Sequence, residues 1–473
     1  MALLRPVKRT VASPTRLRQI VIISVICLAL YCFLLVPEHS LDSSRSTIID
    51  TFPRHPHHSD SSPNSKQKAN PPSSVLNNFH LTTAQCRSTF PYLTQEIDHA
   101  VAKGPFTLTR RPHDMGPLIA RIRNGKLSIL SYARRSDLSR EMLQHRSATL
   151  HQIANALLTT PPDETPADTI IAFNHEDDPL SPSLSYSRPA DPVLNGADKH
   201  IFPIPHFSFY AWPIATVGSF PRASSAISVL ESEISWSNKQ PQAIWRGTTW
   251  FNHPRAGRLR QDLVASTKSQ PWADIAPLVV HANGSSNGLP IEDFCRYRYI
   301  IHTEGVTYSG RFQYHQLCAS VVLSPPIAWM QHVTHLVRPV FSHALPGVER
   351  TLTSPAASRK EKLAPYPASW VKSAWPKSYN PATEANMVFV APDWSDLEAT
   401  IAWLEAHPKI AEGIARRQRE LFHGAGYLSP AAEKCYWRAL LRGWSSVVRT
   451  DGQTFEDLDE IPWEEFSLKE IHK

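Results

Sequence analysis

Cysteine is scarce in this chain of 473 residues, and the spacing of the few cysteines excludes the usual zinc-binding and dithiol redox motifs. The six cysteines form no C-x-x-C pair and show no zinc-finger spacing. Two of them lie in an apolar run near the N-terminus, which leaves Cys86, Cys295, Cys318 and Cys435 in the rest of the chain. In an oxidising compartment these four predict two disulfides, whereas in a cytosolic protein they would be free thiols.

Phosphate-binding glycine motifs and paired metal-binding histidines are missing as well. The 17 glycines include no G-x-x-x-x-G-K-[ST] sequence, the phosphate-binding loop that a kinase or sulfotransferase of the P-loop type requires. The 22 histidines place no H-x-x-x-H pair on a predicted helix. The sequence therefore argues against a P-loop phosphotransferase and against a helical zinc site.

The N-terminal segment predicts a membrane anchor. Residues 1–19 carry five basic residues and no acidic one, and the uncharged apolar run 20–36 follows. Positive charge before a span keeps that end in the cytosol. We interpret the segment as a type II signal anchor in the Golgi or endoplasmic reticulum membrane, with a cleaved signal peptide as the alternative. Without these five basic residues the formal charge of +7 is nearly balanced, so the composition does not indicate a nucleic-acid partner.

The rest of the chain divides by composition. Residues 37–83 are dense in Ser, Pro, His and Asn and poor in large apolar residues, so we expect a flexible stem. The globular part is long enough for two domains, which we place at 84–235 and 236–450, followed by an acidic tail at 451–473. The sequon that begins at Asn283 predicts a glycosylation site.

An anion-binding unit is predicted around Gly305. The β-forming run Tyr297–Thr303 precedes Gly305, which allows a tight turn. Ser309 is a residue type favoured at helix N-caps, so we expect a helix to begin there with Arg311 two residues inside it. A second strand follows. Free N–H groups at a helix N-terminus, together with an arginine, bind phosphate well. The pattern indicates a nucleotide-phosphate site in an α/β fold.

A second arginine follows a buried-type strand in Trp245-Arg246-Gly247. Trp245 taken alone is equally consistent with core packing, and Arg246 with a surface charge. Beside an anion site Arg246 becomes a candidate ligand, because two phosphates generally need more than one cation.

A cluster of acidic residues ends the apolar strand that begins at Thr169. Glu176, Asp177 and Asp178 are consecutive and precede Pro179. An acid beyond the carboxyl end of a strand is a candidate general base, and a solvated turn is the alternative. A metal site is disfavoured because three consecutive carboxylates do not converge without a special turn.

Segments from several parts of the chain together resemble glycosyltransferase family 90, which includes protein O-glucosyltransferases and fungal capsule xylosyltransferases. They occur in the family's order, and they are Trp245-Arg246-Gly247, Cys295-Arg296-Tyr297-Arg298-Tyr299, Gly305-x-x-x-Ser309-x-Arg311, a Val-Val-Leu strand, Asp393-x-x-Asp396-Leu397 and Cys435-Tyr436-Trp437. The resemblance implies a GT-B architecture, in which two Rossmann-like domains face a cleft and the C-terminal domain, here 236–450, holds a UDP-sugar.

The resemblance also assigns roles to individual residues. Ser309 and Arg311, on the turn at Gly305, match positions that bind the donor diphosphate, and Arg246 matches an arginine that faces the donor. Asn174-x-x-Asp177-x-Pro179 matches the element whose aspartate is the catalytic base, which selects Asp177 over Asp178. The implied disulfides are Cys295–Cys318 and Cys86–Cys435.

Two features depart from the family pattern. The family usually has a His-Tyr pair where this chain has Asn386-Met387-Val388-Phe389-Val390. An insertion rich in Pro, Ser and Lys also interrupts the donor domain near 341–384.

The expected function is inverting transfer of glucose or xylose from UDP-glucose or UDP-xylose to a hydroxyl of a glycan or protein, with Asp177 as the general base. We expect no obligatory metal or cofactor, with Mn²⁺ at most as a stimulator. Arg246, Arg311 and the helix end at Ser309 would stabilise the departing diphosphate, and the Asp-x-Asp sequence Asp457-Leu-Asp459 lies in the acidic tail. The alternative is an inactive glycan- or protein-binding module of the secretory pathway. The presence of both Asp177 and Arg311 favours the enzyme.

Overall fold

Two six-stranded sheets organise the protein. The computed structural model describes residues 70–109, 116–252, 257–281, 286–351, 366–375, 378–450 and 455–471. All of them fall in the unit 69–473. The predicted α/β class is confirmed. The predicted anchor and most of the predicted stem lie outside the described residues, as does Asn283. Across the described ranges no helix is long and apolar enough to cross a membrane.

The first sheet is mixed and is built mainly from the N-terminal half. Its antiparallel part and its parallel part meet at the strand that leads to Asp177. In spatial order its strands are Ile461–Pro462, Lys126–Ser131, Leu118–Arg123, Thr169–Phe173, Ser183–Ser185 and Ile201–Pro203.

The second sheet is parallel throughout, as in a Rossmann-like domain. Its strands Val321–Ser324 and Met387–Phe389 are fully buried, as expected where helices cover a parallel sheet on its faces, whereas the edge strand Ala273–Pro277 is half-buried. In spatial order they are Pro339–Phe341, Met387–Phe389, Val321–Ser324, Tyr297–Ile301, Gln240–Gly247 and Ala273–Pro277. Two short pairs lie outside the sheets: Phe106–Leu108 with Val448–Thr450, and Arg188–Pro189 with Trp329–Met330.

Helices connect and cover these sheets. Those of the N-terminal half are Ser73–Leu76, Thr83–Thr89, Gln95–Val101, Arg140–Leu158 and Phe220–Glu233. Those that follow are Leu259–Ser266, Phe312–His315, Ser369–Ala374, Pro381–Glu384, Leu397–Ala406, Pro408–Arg419, Pro430–Val447 and Trp463–Ile471.

Helix Pro430–Val447 packs on the first sheet, although the predicted domain boundaries assign it to the donor domain. The Trp444 indole donates to the Ile170 carbonyl at 2.8 Å, and the Trp437 indole donates to the Gln152 side chain at 3.1 Å. Both tryptophans are fully buried. The helix therefore stabilises the strand that carries the acidic cluster, and burial of its aromatic face explains this placement.

The predicted acidic tail is also part of the first sheet. Ile461–Pro462 pairs antiparallel with Lys126–Ser131, and the buried guanidinium of Arg121 forms ion pairs with Glu456 and Glu460. Two acidic residues of this segment therefore neutralise a buried cation. A buried arginine without these carboxylates would be strongly destabilising.

The N-terminal boundary of the folded part lies before residue 83. The guanidinium of Arg438 donates to the carbonyls of Phe79 and Leu81, each at 2.8 Å. Residues 70–83, which the composition assigns to the stem, therefore include a segment held against helix Pro430–Val447.

Both disulfides implied by the family resemblance are confirmed. Cys86–Cys435 joins helix Thr83–Thr89 to helix Pro430–Val447 across 349 residues of sequence. Cys295–Cys318 joins the helical turn before strand Tyr297–Ile301 to the turn before strand Val321–Ser324. The first bridge therefore reinforces the return of the C-terminal helix to the first sheet.

Candidate active site

The predicted site residues line one cleft. Asp177 follows a strand of the first sheet, whereas Arg246, Gly305, Ser309 and Arg311 follow strands of the second. All five contribute to the wall of a cavity of about 380 Å³. Because ligands of open α/β sheets bind beyond the carboxyl ends of the strands, the fold brings these distant segments to the expected place.

The loop that carries Asp177 is fixed through its main chain. The Asn174 amide donates to the Asp178 carbonyl at 2.6 Å, which closes a compact turn directly after the strand. From the second sheet, the Thr307 hydroxyl donates to the Asp177 carbonyl at 2.9 Å. Asn174 and Thr307 thus position the Asp177 backbone, and the side chain contributes to the cleft wall.

Asp177 has the electrostatic character of a base. It is reached by solvent through the open cleft, yet the surrounding wall withdraws much of its hydration. This burial, with smaller contributions from the charges of Asp178 and Glu176, raises the pKa of Asp177 above its ordinary value. A carboxylate with a raised pKa accepts a proton more readily than an ordinary aspartate does.

Two arginines, Arg260 and Arg311, form a cationic pair in the cleft. Burial lowers the pKa of Arg311 to about 10, and burial together with the charge of Arg311 lowers the pKa of Arg260 to about 9. Arg260 donates to the main-chain carbonyls of Thr248 at 3.0 Å and Glu304 at 3.1 Å, and Arg311 donates to the Arg246 carbonyl.

The acceptors of these hydrogen bonds are neutral main-chain carbonyls, so the positive charges of Arg260 and Arg311 stay uncompensated. Over the described ranges of the chain, neither guanidinium forms an ion pair with a carboxylate. Two adjacent buried cations are costly, and a bound dianionic group between them would remove that cost. The pair therefore has the properties of a diphosphate site.

Arg246 differs from this pair because its charge is already neutralised. Its guanidinium lies 2.6 Å from Asp274, whose other carboxylate oxygen accepts a hydrogen bond from the Tyr297 hydroxyl at 2.6 Å. Arg246 lines the cleft, but the structure places Arg260 rather than Arg246 beside the charge of Arg311. Sequence motifs do not identify Arg260, because it lies inside helix Leu259–Ser266 and belongs to no recognised motif. The one available signal was its place shortly after Trp245-Arg246-Gly247.

The predicted N-cap at Ser309 is wrong. The helix covers only Phe312–His315, and Arg311 occupies its N-cap position without a side-chain cap. The next residues continue through tight turns, in which the N–H of Leu317 bonds the Tyr314 carbonyl and the N–H of Cys318 bonds the His315 carbonyl. Such bonds to the third preceding residue do not extend an α-helix. The cationic character of this part of the cleft therefore comes from the guanidinium groups of Arg260 and Arg311 and not from a helix N-terminus.

Gly247 allows Arg311 to approach the second sheet. A Cβ atom at this position would lie 2.8 Å from the Trp245 ring and 3.2 Å from the Arg311 guanidinium. Any larger residue would push one of the two away, so the glycine of the Trp-Arg-Gly motif is explained by close packing.

His145, which the sequence analysis did not select, also lines the cleft. Its ring stacks on Phe207 with a centroid distance of 3.7 Å. Burial lowers the pKa of His145 to about 4, so the ring is neutral at neutral pH. A neutral imidazole in this wall can form a hydrogen bond with a sugar hydroxyl and does not compete with Asp177 for the proton.

The described residues offer one geometric candidate for a metal site: Glu231, Cys295 and Cys318 place ligand atoms within 4.8 Å of one another. The two sulfurs are joined in a disulfide, and Glu231 is paired with Lys239 at 2.7 Å. This cluster therefore does not suit a cation. The absence of a metal requirement stays a prediction.

Glu304 gives a testable pH effect at the edge of the cleft. Its carboxylate accepts hydrogen bonds from the N–H groups of Ala328 at 3.0 Å and Trp329 at 2.9 Å. Burial nevertheless raises the pKa of Glu304 to about 8, from an ordinary value of 4.5. Between these values the folded protein holds a proton that the unfolded chain releases. The contribution of Glu304 to stability therefore falls as the pH rises through this interval.

We expect the free energy of unfolding of the wild type, relative to Glu304→Gln, to decrease from pH 5 to pH 8 in urea titrations. The comparison with Gln cancels the other titrating groups. Parallel pH curves for the two proteins would contradict the raised pKa.

Comparisons with known proteins agree with the geometry. The model of Glycosyl transferase family 90 matches residues 122–353, a segment that contains Asp177, Arg246, Arg260 and Arg311. An O-glucosyltransferase rumi homolog of Anopheles gambiae is 24% identical over 228 residues, which cover 47% of this chain and 46% of that protein. O-glucosyltransferase rumi of Drosophila melanogaster is 21% identical over 257 residues, 52% of this chain and 51% of that protein.

Protein O-glucosyltransferase 1 of Homo sapiens is 20% identical over 314 residues, 62% of this chain and 66% of that protein. The chain spans about half the length of the first curated relatives that it matches. The predicted resemblance to glycosyltransferase family 90 is confirmed.

Proposed function

We propose that this relative of glycosyltransferase family 90 transfers a sugar from a UDP-sugar to an acceptor hydroxyl. The observation that carries the proposal is the shared cleft of Asp177, a base with a raised pKa, and the uncompensated guanidinium pair of Arg260 and Arg311. A proton acceptor opposite an anion site is the arrangement that displacement of a nucleoside diphosphate requires. The names of the relatives as O-glucosyltransferases support this assignment.

Each residue of the site has its own role in the proposed reaction. Asp177 removes the proton of the acceptor hydroxyl while that oxygen attacks the anomeric carbon from the face opposite UDP. The new carbon–oxygen bond forms as the bond to the β-phosphate oxygen breaks, which inverts the anomeric centre. Negative charge grows on the departing UDP, and Arg260 and Arg311 stabilise it. Asp274 holds Arg246 in a fixed orientation at the edge of this site.

The arrangement of the two sheets, the donor and the acceptor are proposed as well. We assign a GT-B arrangement of the two sheets, UDP-glucose or UDP-xylose as the donor, and a glycan or protein as the acceptor. Because two arginines supply the charge that a metal ion would otherwise supply, we propose that no metal is obligatory, with Mn²⁺ as a stimulator at most. The apolar run 20–36 supports a single-pass type II protein of the Golgi or endoplasmic reticulum membrane.

Release of UDP from a panel of UDP-sugars, measured with and without EDTA, tests the function. Slow hydrolysis of one UDP-sugar in both conditions is the expected result. Loss of all activity in EDTA would contradict the role of the arginine pair. UDP binding with no hydrolysis of any donor, and no transfer to any acceptor, would favour the inactive binding module instead.

Thr307 should act as a positioning residue for the base. Thr307→Val keeps the shape of this buried side chain but removes the 2.9 Å hydrogen bond to the Asp177 carbonyl. We expect kcat to fall roughly 2- to 10-fold, the effect of one neutral hydrogen bond, with the KM for the UDP-sugar and the melting temperature unchanged. Thr307→Ser, which restores the hydroxyl, should recover kcat. An equal loss in both variants would point to packing instead.

A further inference from the structure

A second cavity, of about 340 Å³, adjoins the cleft and shares Gly305 with it. It lies beyond the carboxyl ends of the strands Tyr297–Ile301, Val321–Ser324 and Met387–Phe389. The Glu304 side chain lines it, while the Glu304 carbonyl accepts a hydrogen bond from Arg260 at 3.1 Å. Glu304 therefore connects the two sites: its side chain lines the second cavity, and its main chain contacts Arg260 of the proposed diphosphate site.

Aromatic rings and hydrogen-bond acceptors share the lining of this cavity. Its aromatic residues are Trp329, Tyr366 and Trp370, each partly open to solvent. The Tyr366 hydroxyl donates to the Phe389 carbonyl, and the Trp370 ring packs against Trp375 with a centroid distance of 6.3 Å. These contacts fix both rings before any ligand arrives.

The polar side chains of the cavity are Asp191, Asn252 and Glu304. None of the described residues in its wall is Lys, Arg or His, which makes it unsuitable for a phosphate group. Aromatic faces pack against the C–H faces of a sugar ring, while carboxylate and amide groups bind the hydroxyls at its edge. The lining fits a neutral carbohydrate.

The aromatic wall combines residues from two parts of the chain. Tyr366 and Trp370 belong to the insertion 341–384, and both lie beyond the family match, which ends at residue 353. Asp177, Arg260 and Arg311 lie within the match. Trp329, the third ring of the wall, lies within the match. Among the described residues, Gly305 is the only one that this cavity shares with the cleft of Asp177, Arg260 and Arg311, so a sugar bound in the cavity is separate from the proposed donor diphosphate.

We propose that the second cavity binds a neutral sugar unit of the acceptor, so that the preferred acceptor is a glycan and not an unglycosylated polypeptide. This inference rests on the proposed function. It adds a subsite in which Trp370 and Tyr366 pack against the sugar ring and Asp191 accepts hydrogen bonds from its hydroxyls.

Binding of neutral oligosaccharides to the full chain tests the inference. The probes are maltotriose, xylotriose and mannotriose, added to protein saturated with UDP and followed by saturation-transfer NMR and calorimetry. We expect at least one of them to bind the wild type, to bind Trp370→Ala at least tenfold more weakly, and to recover part of its affinity in Trp370→Phe. Asp191→Asn, which preserves shape, should also weaken binding.

Trp403→Ala is the matched control. Trp403 lies on helix Leu397–Ala406 and is likewise half-buried, but its ring stacks on that of His407, with a centroid distance of 4.1 Å. Its sugar affinity should equal that of the wild type, and the UDP affinity should be the same in all variants.

The inference would be overturned if no trisaccharide bound the UDP-saturated wild type. It would also be overturned if Trp370→Ala bound sugar as well as the wild type does, whether or not its UDP binding were weaker. Because UDP binding is measured separately, each of these differs from failure of the proposed function, in which UDP itself would not bind.

Discussion

Asp177→Asn is expected to reduce sugar transfer roughly 10²- to 10⁴-fold, the usual contribution of a general base, without changing the affinity for UDP. The amide keeps the size of the carboxylate but does not accept the proton of the attacking hydroxyl. The loop should stay in place, because it is held by the Asn174 side chain and the Thr307 hydroxyl through main-chain carbonyls. Steady-state transfer and calorimetric titration with UDP measure the two quantities.

Asp178→Asn is the matched control for this prediction. Asp178 is the next residue, and its charge helps to raise the pKa of Asp177. Transfer requires ionised Asp177, so the rate should fall as the pH decreases through that raised pKa. Asp178→Asn should retain transfer and move this acidic limb of the pH profile to lower pH. Full activity in Asp177→Asn, or abolished activity in Asp178→Asn alone, would remove Asp177 from the role of base.

Arg311→Ala is expected to weaken UDP binding by about 1.5–3 kcal/mol, the value of a charge-assisted hydrogen bond, which corresponds to roughly 10- to 150-fold in Kd. Arg311 and Arg260 share the cleft without a carboxylate partner in the described ranges, so a diphosphate supplies the charge that compensates them. Arg311→Lys should give an intermediate loss, because the ammonium keeps the charge but not the planar pair of donors.

Measuring uridine binding distinguishes the loss of a phosphate contact from a change elsewhere in the site. Arg311→Ala should leave uridine binding unchanged, since uridine has no phosphate. Arg298→Ala is a suitable control variant, because Arg298 is paired with Glu405 at 2.8 Å and does not line the cleft. Unchanged UDP affinity in Arg311→Ala, or an equal loss for uridine and UDP, would show that the anion site lies elsewhere.

Local sequence signals predicted the strands that lead to the site. The predicted β-run Tyr297–Thr303 contains the observed strand Tyr297–Ile301, and the Trp245-Arg246-Gly247 motif ends the strand Gln240–Gly247. Runs of β-branched and aromatic residues between turn residues are sufficient for such elements, because the signal lies within a few neighbouring positions. The helix expected after Ser309 is present but covers only Phe312–His315, and its N-cap is Arg311 instead of Ser309.

By itself, the sequence determined the α/β class, the resemblance to the family and the segments that carry Asp177 and Arg311, and that resemblance implied both disulfide pairs. These properties follow from residues that are adjacent in the chain or arranged in a recognisable order. The tertiary structure alone decided that Arg260 completes the cationic pair and that the C-terminal helix and the acidic segment return to the first sheet. It also decided that Tyr366 and Trp370 of the insertion line the second cavity together with Trp329. Each of these depends on contacts between residues far apart in the chain, whose burial and charge compensation are properties of the assembled fold.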